Sequence, residues 1–237
     1  MKFIVLTITQ YKEKDGIIFG ISEEGAKTLT ARGMLDPKNK NSGLNNPLTI
    51  ADIELGSDRY KYPIIKNSTV LVSPLKVNND YHYLGGISFL AEITNKLLQE
   101  DEMGMMYKHL YSAIKAIKDA KDPWMIVLIY LLNVLKATGY EFQVNECVFC
   151  GSRKDIVTFS FIEGGFVCRN CMDSHIETPF NNDQMLLLRQ AYFAKNYKVT
   201  SQYCTKDNAI ALLSKFHEFI KDSFGTSIAA IDFLIKN

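Results

Sequence analysis

Gly20-Ile-Ser-Glu-Glu-Gly-Ala-Lys-Thr-Leu-Thr-Ala-Arg-Gly33 admits two readings, and the choice between them sets the fold. Its first nine residues come within one position of G-x-x-x-x-G-K-S/T, the loop whose backbone amides cradle nucleotide phosphates at the start of a helix. In that loop the lysine directly follows the second glycine; here Ala26 intervenes. Glu23 and Glu24 would also face the polyphosphate, and their charge opposes it. The next residues, Thr28 to Arg32, alternate in the manner of a strand and carry no helical stripe. The stretch therefore reads as a β-turn at Gly25 leading into a strand.

The neighbouring segments agree. Phe3 to Tyr11 is alternating and β-branched, and after Lys12-Glu-Lys-Asp-Gly16 comes a second apolar run, Ile17 to Ile21, so the two read as a hairpin. Lys27 to Gly33 is the third strand, Asp36 to Gly43 a polar loop, and Pro47 to Leu55 and Tyr60 to Val72 the fourth and fifth strand patterns. Five short strands with turn signals between them predict a small closed or nearly closed barrel.

The pattern changes after Pro74. Apolar residues recur at helical spacing over Leu84 to Leu98, Met105 to Ile117 and Trp124 to Ala137. Asp122-Pro123 reads as an N-cap followed by proline at the first helical position, and Thr138-Gly139 ends that helix. A Cys-rich insert spans 147–171; further helices are expected near Asn182 to Asn196, Lys206 to Phe224 and Ser227 to Leu234.

A chain of 237 residues with 47% hydrophobic content buries a sizeable core. Its longest apolar run, Trp124 to Leu132, is far shorter than the ~20 residues that span a bilayer and reads as a buried helix. Met1 to Thr9 alternates with threonines and precedes no small-residue cleavage site, which points to a cytoplasmic location. The formal net charge is +1, yet residues 1–76 carry 11 Lys/Arg against 8 Asp/Glu, so the basic excess lies at the N-terminus.

Cys147-Val-Phe-Cys150 and Cys168-Arg-Asn-Cys171 form C-x2-C-x17-C-x2-C, a spacing at which two tight knuckles close one tetrahedral thiolate shell around zinc. Four cysteine ligands leave no position for water, so one structural Zn2+ per chain is expected and a catalytic one is not. A metal-free set of buried thiols and a redox C-x-x-C are the alternatives; the second leaves one pair unexplained. The deaminase signature, which needs H-x-E beside P-C-x-x-C, is absent. Cys204 reads as a small buried hydrophobe. The four histidines, 82, 109, 175 and 217, form no ligand or nucleophile motif, and no catalytic constellation emerges, so the chain reads as non-enzymatic.

The order of these parts resembles the RecO family of bacterial recombination mediators and strand-annealing proteins. Gly25-Ala-Lys-Thr-Leu-Thr-Ala-Arg-Gly33 is similar to that family's G-K-x-x-x-x-A-R-G strand, with Ala26 as an extra residue. Lys38 to Pro47 resembles its polar loop and Leu-x-x-Pro. Cys147-Val-Phe-Cys-Gly151 together with Ser160-Phe-Ile-Glu-Gly-Gly-Phe-Val-Cys-Arg-Asn-Cys171 is similar to its cysteine ribbon. Met34-Leu-Asp-Pro37 departs from the family, which places further arginines there.

The resemblance implies an α+β chain: an OB-fold β-barrel over 1–76 that binds single-stranded DNA, then an α-helical domain over 77–237 carrying a four-cysteine zinc ribbon at 147–171. It implies DNA repair and recombination by annealing single strands and helping to load recombinase onto protein-coated DNA. The implied partners are RecR, the acidic C-terminal tail of single-strand-binding protein and, indirectly, RecA, in the cytoplasm near the nucleoid and away from membrane. Lys27, Arg32, Lys38, Lys40, Arg59 and Lys61 become the DNA-binding cations, with Tyr60 and Tyr62 as stacking partners. Twenty-two lysines against five arginines suit phosphate contact more than base readout. The rival readings are a zinc-containing nucleotide kinase, which needs a working P-loop, and a zinc-ribbon protein-binding adaptor without DNA activity.

Overall fold

The computed structural model describes residues 1–56, 61–75, 81–173 and 176–236. The chain divides into two compact units that do not follow chain order: Met1–Asp80 with Leu98–Asp119, and Tyr81–Leu97 with Ala120–Asn237. A boundary at residue 76, which follows chain order, does not anticipate that 98–119 returns to the first unit.

The first unit is built on β1 (Lys2–Tyr11), β2 (Asp15–Ser22), β3 (Gly25–Ala31), β4 (Ile50–Leu55) and β5 (Ile65–Val72), paired antiparallel in the order β3-β2-β1-β4-β5. Alternation places Phe3, Val5, Ile18, Leu29, Ala51 and Ile53 in one core, joined by Met34 and Leu44 from the loop between β3 and β4. The expected barrel is not closed. Among the described residues the outer strands meet at one parallel bridge, Thr30 to Ile64, with the Thr30 amide donating to the Pro63 carbonyl at 2.9 Å. Pro63 has no N–H to return, so the seam cannot extend into a ladder there. Strand β5 starts only at Ile65 and β4 only at Ile50; residues 47–49 and 61–64 are not strand, and Tyr60, where the fifth strand pattern begins, lies outside the described residues.

Helix α2 (Glu100–Asp119) completes this unit by packing on β2 and β3. Met103, Met106, Tyr107, Leu110, Ala113, Ile114 and Ile117 make the helical stripe that it buries. The approach is close: a Cβ on Gly104 would stand 3.3 Å from the Cα of Gly25. Burial, with Tyr111 and Glu23 in support, pushes the Tyr107 hydroxyl up to about 12.

The second unit packs α1 (Tyr81–Leu97), α3 (Trp124–Ala137), α4 (Asn182–Tyr192), α5 (Lys206–Phe224) and α6 (Ala229–Lys236) around α3. Helix α3 is buried on nearly every side, as its apolar sequence requires. Pro123 occupies its cap and Trp124 its first turn, one position later than the Asp122 cap expected from sequence. A buried hydroxyl pair, Tyr130 Oη to Thr94 Oγ1 at 2.6 Å, ties α3 to α1. Helix α4 begins with a capping box between Asn181 and Gln184, and α5 ends on Gly225 at φ 63°.

Helix α6 is held by two residues of its neighbours. Glu92 accepts the Ala229 and Ala230 amides at 2.9 and 2.8 Å, a carboxylate at a helix N-terminus. His217, 3% exposed on α5, accepts the Ile228 amide through Nε2 at 3.0 Å, with Asp232 3.6 Å from Nδ1. Burial, helped by Lys221, lowers the His217 pKa against the opposing pull of Asp232, Glu92 and Glu218. The charged form is thus disfavoured in the fold. Stability from this contact is complete above the unfolded value of about 6.5 and is lost as pH falls through the lower folded value. His217→Gln, which keeps an acceptor, is expected to flatten the acid side of a Tm-against-pH profile; a profile identical to wild type would contradict this.

Candidate metal centre and nucleic-acid interface

The Cys-rich insert folds as a hairpin, β6 (Ile156–Ser160) and β7 (Gly165–Cys168). Cys147 and Cys150 come from a turn before β6; Cys168 ends β7 and Cys171 lies in the turn after it. Each pair sits on a knuckle: Gly151 N–H donates to the Cys147 carbonyl at 2.9 Å, while Cys171 and Met172 amides donate to the Cys168 carbonyl at 3.1 and 3.0 Å. The knuckles are pinned to the hairpin by Val148 N to Phe166 O at 2.9 Å and Arg169 N to Asp155 O at 2.8 Å.

All four sulfurs lie within 4.8 Å of one another. The Cys150–Cys168 separation is 3.7 Å, matching the edge of about 3.8 Å that a tetrahedron with 2.3 Å zinc–sulfur arms requires. Burial opposes ionisation of Cys147, but the Cys168, Cys150 and Phe149 amides and the Cys150 thiol overcome it, bringing its pKa down to about 6. Cys171 is driven the other way, to about 12, by the Cys150 thiol first, then burial, and by the charge of Cys147. Four thiolates this close repel one another, and a divalent cation at their centre removes that conflict. The donor set fits a structural four-coordinate metal that closes the insert, with no position left for a substrate.

Gly165 is the tightest point beneath this centre. A Cβ there would lie 2.4 Å from the Gln143 carbonyl oxygen and 2.8 Å from Val148, beside the first knuckle. Backbone cannot yield as a side-chain tip does, so Gly165→Ala is expected to destabilise the second unit by ~2–4 kcal/mol and to weaken metal retention. Unchanged chemical denaturation of that variant would contradict the packing.

Residues 15–31 form a hairpin around the stretch that resembles a phosphate loop. Ser22 pairs with Gly25 across Glu23-Glu24, Gly25 takes φ 111°, and β3 begins directly after the turn. No helix starts there to aim amides at a phosphate, so the P-loop required by a kinase is absent from this stretch.

The sequence-predicted cations fall into two places. Lys27 shares the face of β3 that buries Leu29 and Ala31, and it pairs with Glu24 at 3.0 Å. Arg32 lies just past the end of β3. It opens the loop that carries Lys38 and Lys40, and this loop folds back on β5: Lys40 Nζ donates to Asn67, and Ser68 Oγ to the Asn41 side chain at 2.9 Å. Tyr62 reaches the same seam, its carbonyl accepting from Thr30 Oγ1 at 3.5 Å, with Lys61 Nζ 5.1 Å from its ring centroid. Arg59 and Tyr60 lie outside the described residues.

Lys14 and Lys66, which no sequence motif singles out, lie in the same unit but are answered by acids, Asp36 at 3.3 Å and Glu54 at 2.8 Å. The Lys38 amide and Lys14 hold the Asp36 carboxyl below its usual range; Lys66 and Asn67 do the same for Glu54. Asn67 comes into view through the pairing of β5 with the loop after β3, and Lys66 through the pairing of β5 with β4; no local motif signals either.

Residues 78–218 match the family model described as "Recombination protein O C terminal". Among curated proteins the chain is similar to the DNA repair protein RecO of Bacillus cytotoxicus, 27% identical over 80% of this chain and 77% of that protein. It is also similar to the DNA repair protein RecO of Halalkalibacterium halodurans, 24% identical over 72% and 67%, and to that of Bacillus cereus AH187, 26% identical over 80% and 77%. No described helix is long and apolar enough to cross a membrane. The family match spans more than half of the chain and takes in the four-cysteine centre, and this chain belongs to the RecO family of DNA repair and recombination proteins.

Proposed function

We propose that the chain is a non-enzymatic recombination mediator: it binds single-stranded DNA on an OB-fold-like first unit, anneals complementary strands and helps to load recombinase onto protein-coated strands. What supports this reading is membership of the RecO family together with the seam between β3 and β5, where Lys40 reaches Asn67 and Thr30 meets Tyr62; Arg32, Lys38 and Lys61, from the same two loops, are proposed to share that surface. Lysines there neutralise phosphates without reading bases, and Tyr62 offers a ring to stack on. Two strands so neutralised repel each other less, which favours annealing. Arg59 and Tyr60 are proposed to extend the same surface, and Lys27 to contribute once its pairing with Glu24 is exchanged for phosphate.

The four cysteines are proposed to bind one zinc ion, whose role is to fix the hairpin and both knuckles. RecR, the acidic tail of single-strand-binding protein and RecA are the proposed partners, on the family resemblance. Annealing of two labelled complementary oligonucleotides, monitored by energy transfer, tests the reading: addition of metal-loaded protein without nucleotide should accelerate pairing, and salt should suppress it. Protein that leaves the pairing rate unchanged at low salt would instead support an adaptor without DNA activity.

A further inference from the structure

An open groove of about 790 Å³ lies between the β6–β7 hairpin and helix α5, within the second unit. Its floor is aromatic. Phe161 stacks on Phe219 with centroids 5.1 Å apart and rings at 21°, and Tyr140 meets Phe219 edge-on at 5.1 Å. Two apolar side chains stand out at its border: Ile162, at the hairpin turn, is 92% exposed, and Phe149, inside the first cysteine knuckle, is 52% exposed. A single exposed apolar residue is ordinary; two beside a stacked aromatic floor make a patch.

The rim has one sign. Glu163, Asp173, Glu177, Glu218 and Asp222 line it. Among the described lining residues the sole cation is Lys215, which is paired with Glu218 at 3.0 Å. This charge excludes a nucleic-acid strand and an anionic membrane surface, and it repels an acidic peptide tail.

We infer that this groove docks a basic amphipathic segment of a partner protein, with aliphatic or aromatic anchors seated on Phe161, Phe219 and Ile162 and Lys/Arg side chains over the acidic rim. Anchors in a desolvated pocket supply affinity, while the rim charges select the partner and speed its approach. Because Phe149 sits between two of the metal-site cysteines, the metal shapes one border of the groove. No residue is shared with the proposed strand-binding surface, so either assignment can fail without the other.

The test uses full-length, metal-loaded protein and a fluorescein-labelled peptide of leucine and lysine at helical spacing, beside a twin with glutamate at every lysine position. The basic peptide is expected to bind at least ~10-fold more tightly than its twin, and Ile162→Ser and Asp222→Lys each to weaken it ~5- to 10-fold with Tm unchanged, both sites being exposed. Equal or tighter binding of the acidic twin would overturn the inference, as would variants that bind the basic peptide as wild type does. Self-association in sedimentation that Ile162→Ser abolishes would assign the groove to a second copy and overturn it too.

Discussion

Cys168→Ser is expected to lose bound metal and to unfold the insert first. Cys168 is buried, ends β7, and supplies both a sulfur 3.7 Å from that of Cys150 and the carbonyl that organises the second knuckle. Serine keeps the carbonyl but replaces the thiolate with a poor zinc ligand, leaving three sulfurs. Structural zinc contributes about 10–16 kcal/mol of apparent binding energy in small domains, and loss of a metal ranks among the few changes that exceed ~4 kcal/mol. For a chain of this size, at roughly 2–4 °C per kcal/mol, the expected fall in Tm is about 10 °C or more. Metal analysis after gel filtration should read one zinc per wild-type chain and a small fraction of that in the variant. A variant that still carries one zinc would rule out four-cysteine ligation.

The four-cysteine cluster was legible in the sequence because its information is local. Two C-x-x-C pairs fold into knuckles through their own amides, and the 17 residues between them suffice for one hairpin. The hairpin at Gly25 was legible for the same reason: strand alternation on both sides leaves Glu23-Glu24 only a turn to occupy. Helix positions emerged from their stripes, and α3 declared its burial by having no polar face.

The features that escaped the sequence are those that depend on distant pieces. That α2 belongs with the sheet rests on Gly104 meeting Gly25, an approach between residues 79 positions apart that no periodicity encodes. The open seam between β3 and β5 had a sign in Pro63, but its meaning depends on Thr30 lying opposite. Along β3 Lys27 pairs with Glu24, while Lys40 of the following loop reaches Asn67 of β5, a division that no local pattern shows. The groove beside α5 gathers residues from five stretches between 140 and 223, and no window along the chain contains it.

The proposed strand-binding surface carries the second large expected effect. Replacing Arg32, Lys40 and Lys61 together by alanine removes three cations from loops that meet beside Thr30 and Asn67, without touching the core of the first unit. Each phosphate contact on a single strand adds about 0.7 to the slope of log affinity against log salt, so the triple variant should lose about 2 from that slope. At low salt the affinity should fall on the order of 10- to 100-fold, uniformly across base sequences. Lys27→Ala should cost less, since Glu24 already engages this lysine and only one contact is lost.

The most direct measurement is fluorescence anisotropy of a labelled single-stranded oligonucleotide titrated with zinc-loaded protein across a salt series, with ATP as competitor and the triple variant in parallel. Salt-sensitive binding that ATP leaves intact is expected, with a shallower slope in the variant. Binding that ATP displaces, or a variant with wild-type slope and affinity, would contradict strand binding at the β3–β5 seam.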